Sequence, residues 1–218
     1  STGPIAANQV IPVVIPNTYF IDDEGGFLNK AVHVTAAKPI VVYSFITRSQ
    51  ASAATLCLPA NVLGKEYYAM SFTQVSNEPN SNSFITIVGV EDNTSVEITP
   101  TADTKLGWLA GSVHTITLGK GQIYQVLGAT TGNTGVDLSG TTVRSIASGT
   151  SGCKRIAVFS GSGKISIGCS GAGSSDNLYQ QLYPVASWGK KYLTVPSYSR
   201  PNNYYRVVRS SALANVSL

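Results

Sequence analysis

Charge is scarce in this chain. Only 12% of its 218 residues are charged, about half the usual quarter of a globular domain, which argues against a cytosolic helical enzyme with solvated helix faces. Histidine is reduced to two residues, His33 and His114, and cysteine to three, Cys57, Cys153 and Cys169. None of these five stands at metal-ligand spacing, so no metal site is expected. Both histidines lie in alternating, strand-like runs without a motif that marks a nucleophile, so hydrolysis through an activated Ser or Cys has no support. From Ala110 onward the only carboxylates are Asp137 and Asp176. Both stand beside small residues that suit turns, and nothing marks them as the paired acids of a glycosidase. Ser160-Gly-Ser-Gly-Lys has the look of a phosphate loop, but Val158 stands where the first glycine is required. No apolar run reaches the eighteen or so residues of a membrane helix, and residues 10–15 are interrupted by proline. The chain reads as a non-enzyme with no cofactor and no membrane insertion.

What is plentiful points to sheet. Gly, Ser, Thr, Asn and Tyr separate short β-branched runs, the profile of a secreted β-protein with many turns. Strands are expected at 31–36, 40–46, 54–58, 67–72, 84–90, 96–99, 113–118, 123–127, 142–146, 193–195, 204–209 and 215–218. Residues 1–16, apolar and proline-punctuated, are expected as an extended edge strand. Tight hairpins are expected around Glu91-Asp-Asn-Thr, around Gly119-Lys-Gly and around Ser160-Gly-Ser-Gly. Residues 176–182 fit a single helical turn, and no long amphipathic helix is found. Asp22, Asp23 and Glu24 are contiguous where calcium ligands alternate, so they read as a solvated acidic turn.

The chain is also written partly twice. Lys38-Pro-Ile-Val-Val-Tyr-Ser and Lys154-Arg-Ile-Ala-Val-Phe-Ser each lead to a Pro-x4-Gly-Lys-x-Tyr, at Pro59 to Tyr67 and at Pro184 to Tyr192. The fold class expected is therefore all-β: two consecutive antiparallel β-sandwich-like units related by internal duplication. Residues 1–140 form the first with its N-terminal edge strand, and 141–218 the second, incomplete because the strands at 113–127 have no later counterpart. A hairpin over 155–168 places Cys153 and Cys169 where a cross-strand disulfide closes, a loop worth about 3 kcal/mol by chain entropy. The alternative is two unrelated buried thiols. Cys57 reads as a small core hydrophobe, with an intermolecular bridge as the alternative.

Asp137-Leu-Ser-Gly-Thr, Ile156-Ala-Val-Phe-Ser-Gly, Asp176-Asn-Leu-Tyr-Gln-Gln-Leu-Tyr-Pro and Ser187-Trp-Gly-Lys-Lys-Tyr, in this order and spacing, resemble the N-terminal domain family of the IgG Fc-binding protein of mucus. The resemblance starts near Phe20 and covers most of the chain. It implies an extracellular β-rich module, found in secreted mucus or matrix proteins and in bacterial surface proteins, and it brings no catalytic residues.

Partners are suggested by charge and aromatics. Up to Leu109 five basic residues face nine carboxylates, a net −4, whereas from Ala110 ten basic residues face two, a net +8. That split fits a basic surface for a glycoprotein or an anionic glycan, or head-to-tail self-association of acidic and basic halves; scattered solvated charge is the plain alternative. A structural spacer in a larger assembly is the rival role in the same setting, and a hydrolase with an unrecognised site is the rival from another class. Nucleic acid fits poorly, since no binding motif accompanies the charge. Tyr198, Arg200, Tyr204, Tyr205, Arg206, Lys190 and Lys191 form the candidate recognition loop, while Trp188, in the place of Leu63, reads as a core plug. Asn93 and Asn215 open N-glycosylation sequons. A chain opening on Ser1 is what removal of a signal peptide or a recombinant boundary leaves, and the expected localisation is secreted or cell-surface.

Overall fold

The computed structural model describes residues 3–48, 51–149, 152–167, 175–199 and 203–210. Fourteen strands are placed among them. In chain order they are β1 (Gly26–Leu28), β2 (Val42–Arg48), β3 (Ala51–Cys57), β4 (Glu66–Tyr68) and β5 (Gln74–Val75). Then come β6 (Ser83–Gly89), β7 (Thr94–Thr99), β8 (His114–Leu118), β9 (Ile123–Leu127) and β10 (Thr130–Thr131). β11 (Thr134–Gly135), β12 (Thr142–Ile146), β13 (Ile156–Ile165) and β14 (Asp176–Gln181) complete the set.

Alternation decides what each strand buries. Ile85 and Ile87 of β6, Tyr124 and Val126 of β9, and Ile156 and Val158 of β13 project from a five-stranded sheet ordered β1-β9-β6-β13-β14. They meet Tyr67 of β4, Val143 of β12, Val96 and Ile98 of β7, and Ile116 and Leu118 of β8, from a four-stranded sheet ordered β4-β12-β7-β8. Each such apolar side chain contributes about 1.5–3 kcal/mol by leaving water. The β2–β3 hairpin is tied to the edge of β14 by side chains: Ser52 N donates to Asp176 Oδ1 at 2.6 Å, Leu58 N to Gln181 Oε1 at 2.7 Å and Gln181 N to Thr55 Oγ1 at 2.9 Å. All-β architecture in antiparallel sheets is what the composition led us to expect.

The pairing differs from expectation. β6 and β7 do not form a hairpin, and neither do β8 and β9, because each pair is divided between the two sheets. Both connections are arches over the same core. They hold one another: Gly121 N donates to Gly89 O at 2.7 Å and Lys120 N to Asp92 Oδ1 at 2.8 Å. Asn93 at φ 55° and Gly121 at φ 75° supply the left-handed corners, and such residues serve an arch as well as a hairpin.

The hairpin expected within 155–168 is likewise a single ten-residue strand, β13, paired on one side with β6 and on the other with β14. Gly161 lies in mid-strand, where a Cβ would fall 1.8 Å from Leu178 O, so the glycine permits close strand approach and makes no turn. Ten extended residues span roughly 33 Å, which removes the hairpin argument for joining Cys153 to Cys169. Cys153 is a free thiol; Cys169 lies outside the described residues. Residues 176–182 carry β14 in place of a helical turn, because Gly161 opens an edge for them. Residues 3–16, 31–36, 193–195 and 203–209 contain no strand, since alternation without a neighbouring edge makes no ladder. Residues 215–218 fall outside the described set.

Both sheets take strands from either side of residue 140: β13 lies beside β6, and β12 lies between β4 and β7. The charge split is partly answered in the same way, within one chain: Arg144 pairs with Glu97 at 3.2 Å and Lys164 with Glu78 at 2.9 Å. Asp23 and Glu24 of the acidic turn pair with Lys105 and Lys30. No helix among the described residues is long and apolar enough to cross a membrane.

Candidate functional site

The segment after β4 is held on both sides by small polar residues. Ala69 N donates to Thr141 O, and Gly140 N to Ala69 O, both at 2.9 Å. On the other side the buried Ser160 Oγ accepts from Met70 N at 3.0 Å and donates to Met70 O at 2.7 Å. Ser162 stands in the same relation to Phe72, at 3.4 and 3.2 Å. The alternating serines of β13 thus act as a second ladder for a backbone that pairs with no strand there.

Asp137 is placed beneath this segment. Its Oδ1 accepts from Ser139 N and from Ser71 Oγ, each at 2.9 Å, and its Oδ2 faces Arg206 Nη1 at 2.8 Å. Arg206 also donates to Ser71 O and to Ser139 Oγ, and its guanidinium lies 4.8 Å from the Phe72 ring centroid. Burial alone would raise the Asp137 pKa, yet the hydrogen bonds from Ser139, Arg206 and Ser71 outweigh it and hold the carboxyl below its ordinary value. Asp137 therefore makes a turn, as its neighbours suggest, and also anchors Arg206. Arg206 is engaged as a clamp on the segment that carries the candidate loop.

That loop is open. Tyr198 is 98% exposed, and Tyr204 and Tyr205 are about half exposed. Tyr205 OH donates to Val195 O at 3.3 Å and Ser197 N to Asn203 Oδ1 at 2.8 Å, so the two halves of the loop brace each other. Between them runs a groove of about 430 Å³ lined by Ile167, Thr194, Val195, Asn203, Tyr204 and Tyr205. Lys190 and Lys191 are exposed and enter no ion pair among the described residues. Arg200 lies outside those residues. Trp188 is half-buried, its ring 5.6 Å from that of Tyr68 and its Nε1 donating to Tyr183 O at 3.2 Å, and it lies outside the buried core, so it does not fill the core as Leu63 does.

Asn93 is exposed at the tip of the β6–β7 arch, with Lys154 Nζ on the carbonyls of Asp92 and Asn93. Asn215 lies outside the described residues. His33 is exposed. His114 stacks on Trp108 at 3.9 Å, and its Nε2 is 2.7 Å from Ser112 Oγ. Ser112 gives its hydroxyl proton to Leu109 O, so this Ser–His contact is not an activated nucleophile. Trp108 stacks in turn on Tyr124, which meets Phe27 edge-on. Neither this ring stack nor the Asp137–Arg206 clamp was foreseen; the aspartate's family motif was the one signal available.

The family model described as IgGFc binding protein matches residues 53–217. No curated protein and no solved structure matches the chain.

Proposed function

Because the chain belongs to the IgGFc binding protein family, we propose that it is a non-enzymatic binding module of an extracellular protein, and that its C-terminal aromatic loop recognises a glycoprotein. One observation supports the reading above others. Tyr198, Tyr204 and Tyr205 offer ring surface to solvent while the segment that carries them is clamped by Arg206 on Asp137. Rings held out from a fixed frame bind with little loss of side-chain entropy, and tyrosine is favoured at recognition surfaces because it pairs apolar area with a hydroxyl. The family description names IgG Fc as a ligand. Lys190 and Lys191 add positive charge near the loop in sequence, which suits sialylated or sulfated sugars on such a partner.

The test is retention of the chain on immobilised IgG Fc and on sialylated and sulfated glycoproteins across a salt series. Tyr198→Ala and Tyr205→Ala should each weaken retention about tenfold, the size of effect that marks an interface anchor. Lys190→Glu with Lys191→Glu should remove its salt dependence. Retention unchanged in all these variants would place recognition elsewhere, and no retention at any ionic strength would reject the reading.

A further inference from the structure

The two spelled-alike segments also fold alike. In β2–β3, Tyr43 pairs with Leu56, and in β13–β14, Phe159 pairs with Gln181; each partner stands three residues before its proline, Pro59 or Pro184. A 3-10 turn follows in both, Ala60–Val62 and Val185–Ser187, closed by Val62 N to Pro59 O at 3.0 Å and Ser187 N to Pro184 O at 2.8 Å. The glycine N–H then donates to the tyrosine hydroxyl three residues on, Gly64 to Tyr67 and Gly189 to Tyr192, at 2.8 Å in each case.

Among the described residues only the first of these frames is occupied. Gly64 lies against Pro184 so tightly that a Cβ would fall 2.2 Å from the Pro184 Cβ. Ile156 N donates to Gly64 O at 3.0 Å, and Tyr67 OH donates back to Ile156 O at 2.7 Å. The first frame is thus a socket, filled by Ile156 and Pro184 of the second. In the second frame a Cβ on Gly189 would meet only Lys191 and Tyr192, no closer than 3.7 Å. Tyr192 is 73% exposed and Leu193, in the place of Tyr68, is 91% exposed. The matching knobs of the first frame are also uncovered: Ile40 and Pro59, equivalent to Ile156 and Pro184, face solvent.

We propose that the empty Gly189–Tyr192–Leu193 socket receives Ile40 and Pro59 of a second copy of this chain, repeating between molecules the contact that joins the two frames within one. The Gly64–Pro184 packing is the template, and the docking surface continues it. Socket and knob are different surfaces, so the contact is heterologous and builds an open row unless its rotation closes. Tyr192 and Leu193 open roughly 300 Å² of side chain. With the partly exposed Ile40, Pro59 and Val62 opposite, the buried total stays well below the ~1,000 Å² at which specific interfaces begin, so the association is weak and concentration-dependent. Its apolar anchors let it persist at high salt, unlike an attraction between acidic and basic halves, which screening would abolish. It does not depend on the glycoprotein reading.

Two variants test it by sedimentation velocity. Gly189→Val puts a side chain in the socket, at a backbone position that is not left-handed. Pro59→Arg spoils the knob at an exposed site. The parent chain should self-associate with concentration at low and high salt, each variant alone should stay monomeric with an unchanged melting temperature, and a mixture of the two should form dimers and nothing larger. Tyr198→Ala should associate like the parent, which separates failure here from failure of the recognition loop. A parent chain that remains monomeric to millimolar concentration, a Gly189→Val chain that associates as the parent does, or a mixture that stays monomeric would each overturn the proposal.

Discussion

Gly161 is pressed against Leu178: the alpha carbon of β13 approaches the β14 backbone so closely that no side chain fits between them. Had the glycine been a hairpin corner, alanine there would cost only about 1 kcal/mol. In mid-strand it forces the β13–β14 ladder apart. Gly161→Ala should therefore cost at least about 3 kcal/mol or prevent folding, whereas Gly152→Ala, with open space around the glycine, should leave the denaturation midpoint where it is. A Gly161→Ala loss of about 1 kcal/mol or less would restore the hairpin.

The serines of β13 allow a second stability test. Ser160 is fully buried, and its hydroxyl serves both the N–H and the carbonyl of Met70. Ser160→Ala removes both bonds and leaves two backbone groups unpaired, a loss of about 2 kcal/mol. Ser160→Thr keeps the oxygen but adds a methyl, and should recover part of that loss. Urea denaturation of the three proteins gives the comparison, and an alanine variant as stable as the parent would mean that Met70 finds other partners.

Those serines also show what could and could not be read from the sequence. Alternation located most of the strands, because a residue facing the core must be apolar at every second position, and β6, β8, β9 and β12 fell close to where it placed them. It carries no information on which strand lies next door. The Asn93 and Gly121 corners look the same whether the chain doubles back in one sheet or crosses to the other. Ser160, Gly161, Ser162 and Gly163 looked like a turn because small polar residues are usually solvated there; here they are small so that another backbone can lie against them. Arg206 was picked out as a ligand residue for its place among tyrosines, and its partner Asp137, 69 positions earlier in the chain, could be matched to it only once the segment at 69–72 had been threaded between them.

The two tyrosine frames predict opposite outcomes for the same substitution. Tyr67 is fully buried, and its hydroxyl joins Gly64 N to Ile156 O. Tyr67→Phe should cost about 2 kcal/mol, since it strands a backbone donor and acceptor together. Tyr192 makes the equivalent bond to Gly189 in the open, where water replaces it. Tyr192→Phe should leave thermal stability of the dilute chain unchanged, and a destabilisation matching that of Tyr67→Phe would mean that the second frame is already covered.

Asp137 and Arg206 yield the pH dependence. Hydrogen bonds hold the folded-state pKa of Asp137 below its ordinary value, against the opposing pull of burial. A carboxyl whose pKa is depressed on folding contributes stability that is fully present above the unfolded value and is lost as pH falls through the folded one. The gap in melting temperature between the parent and Asp137→Asn should therefore be widest at neutral pH and narrow steadily below about pH 4. Asp23 and Glu78 also have lowered pKa values through their lysine partners, but they are present in both proteins and cancel in the difference. Arg206→Met removes the cation while keeping an apolar stem near Phe72; it should cost about 2 kcal/mol at pH 7 and shrink the pH-dependent part of the gap without abolishing it, because Ser139 and Ser71 still donate to the carboxylate. A gap between parent and Asp137→Asn that stays constant down to pH 2 would show that the aspartate is not held ionised by these bonds, and that the C-terminal segment is anchored by something other than this clamp.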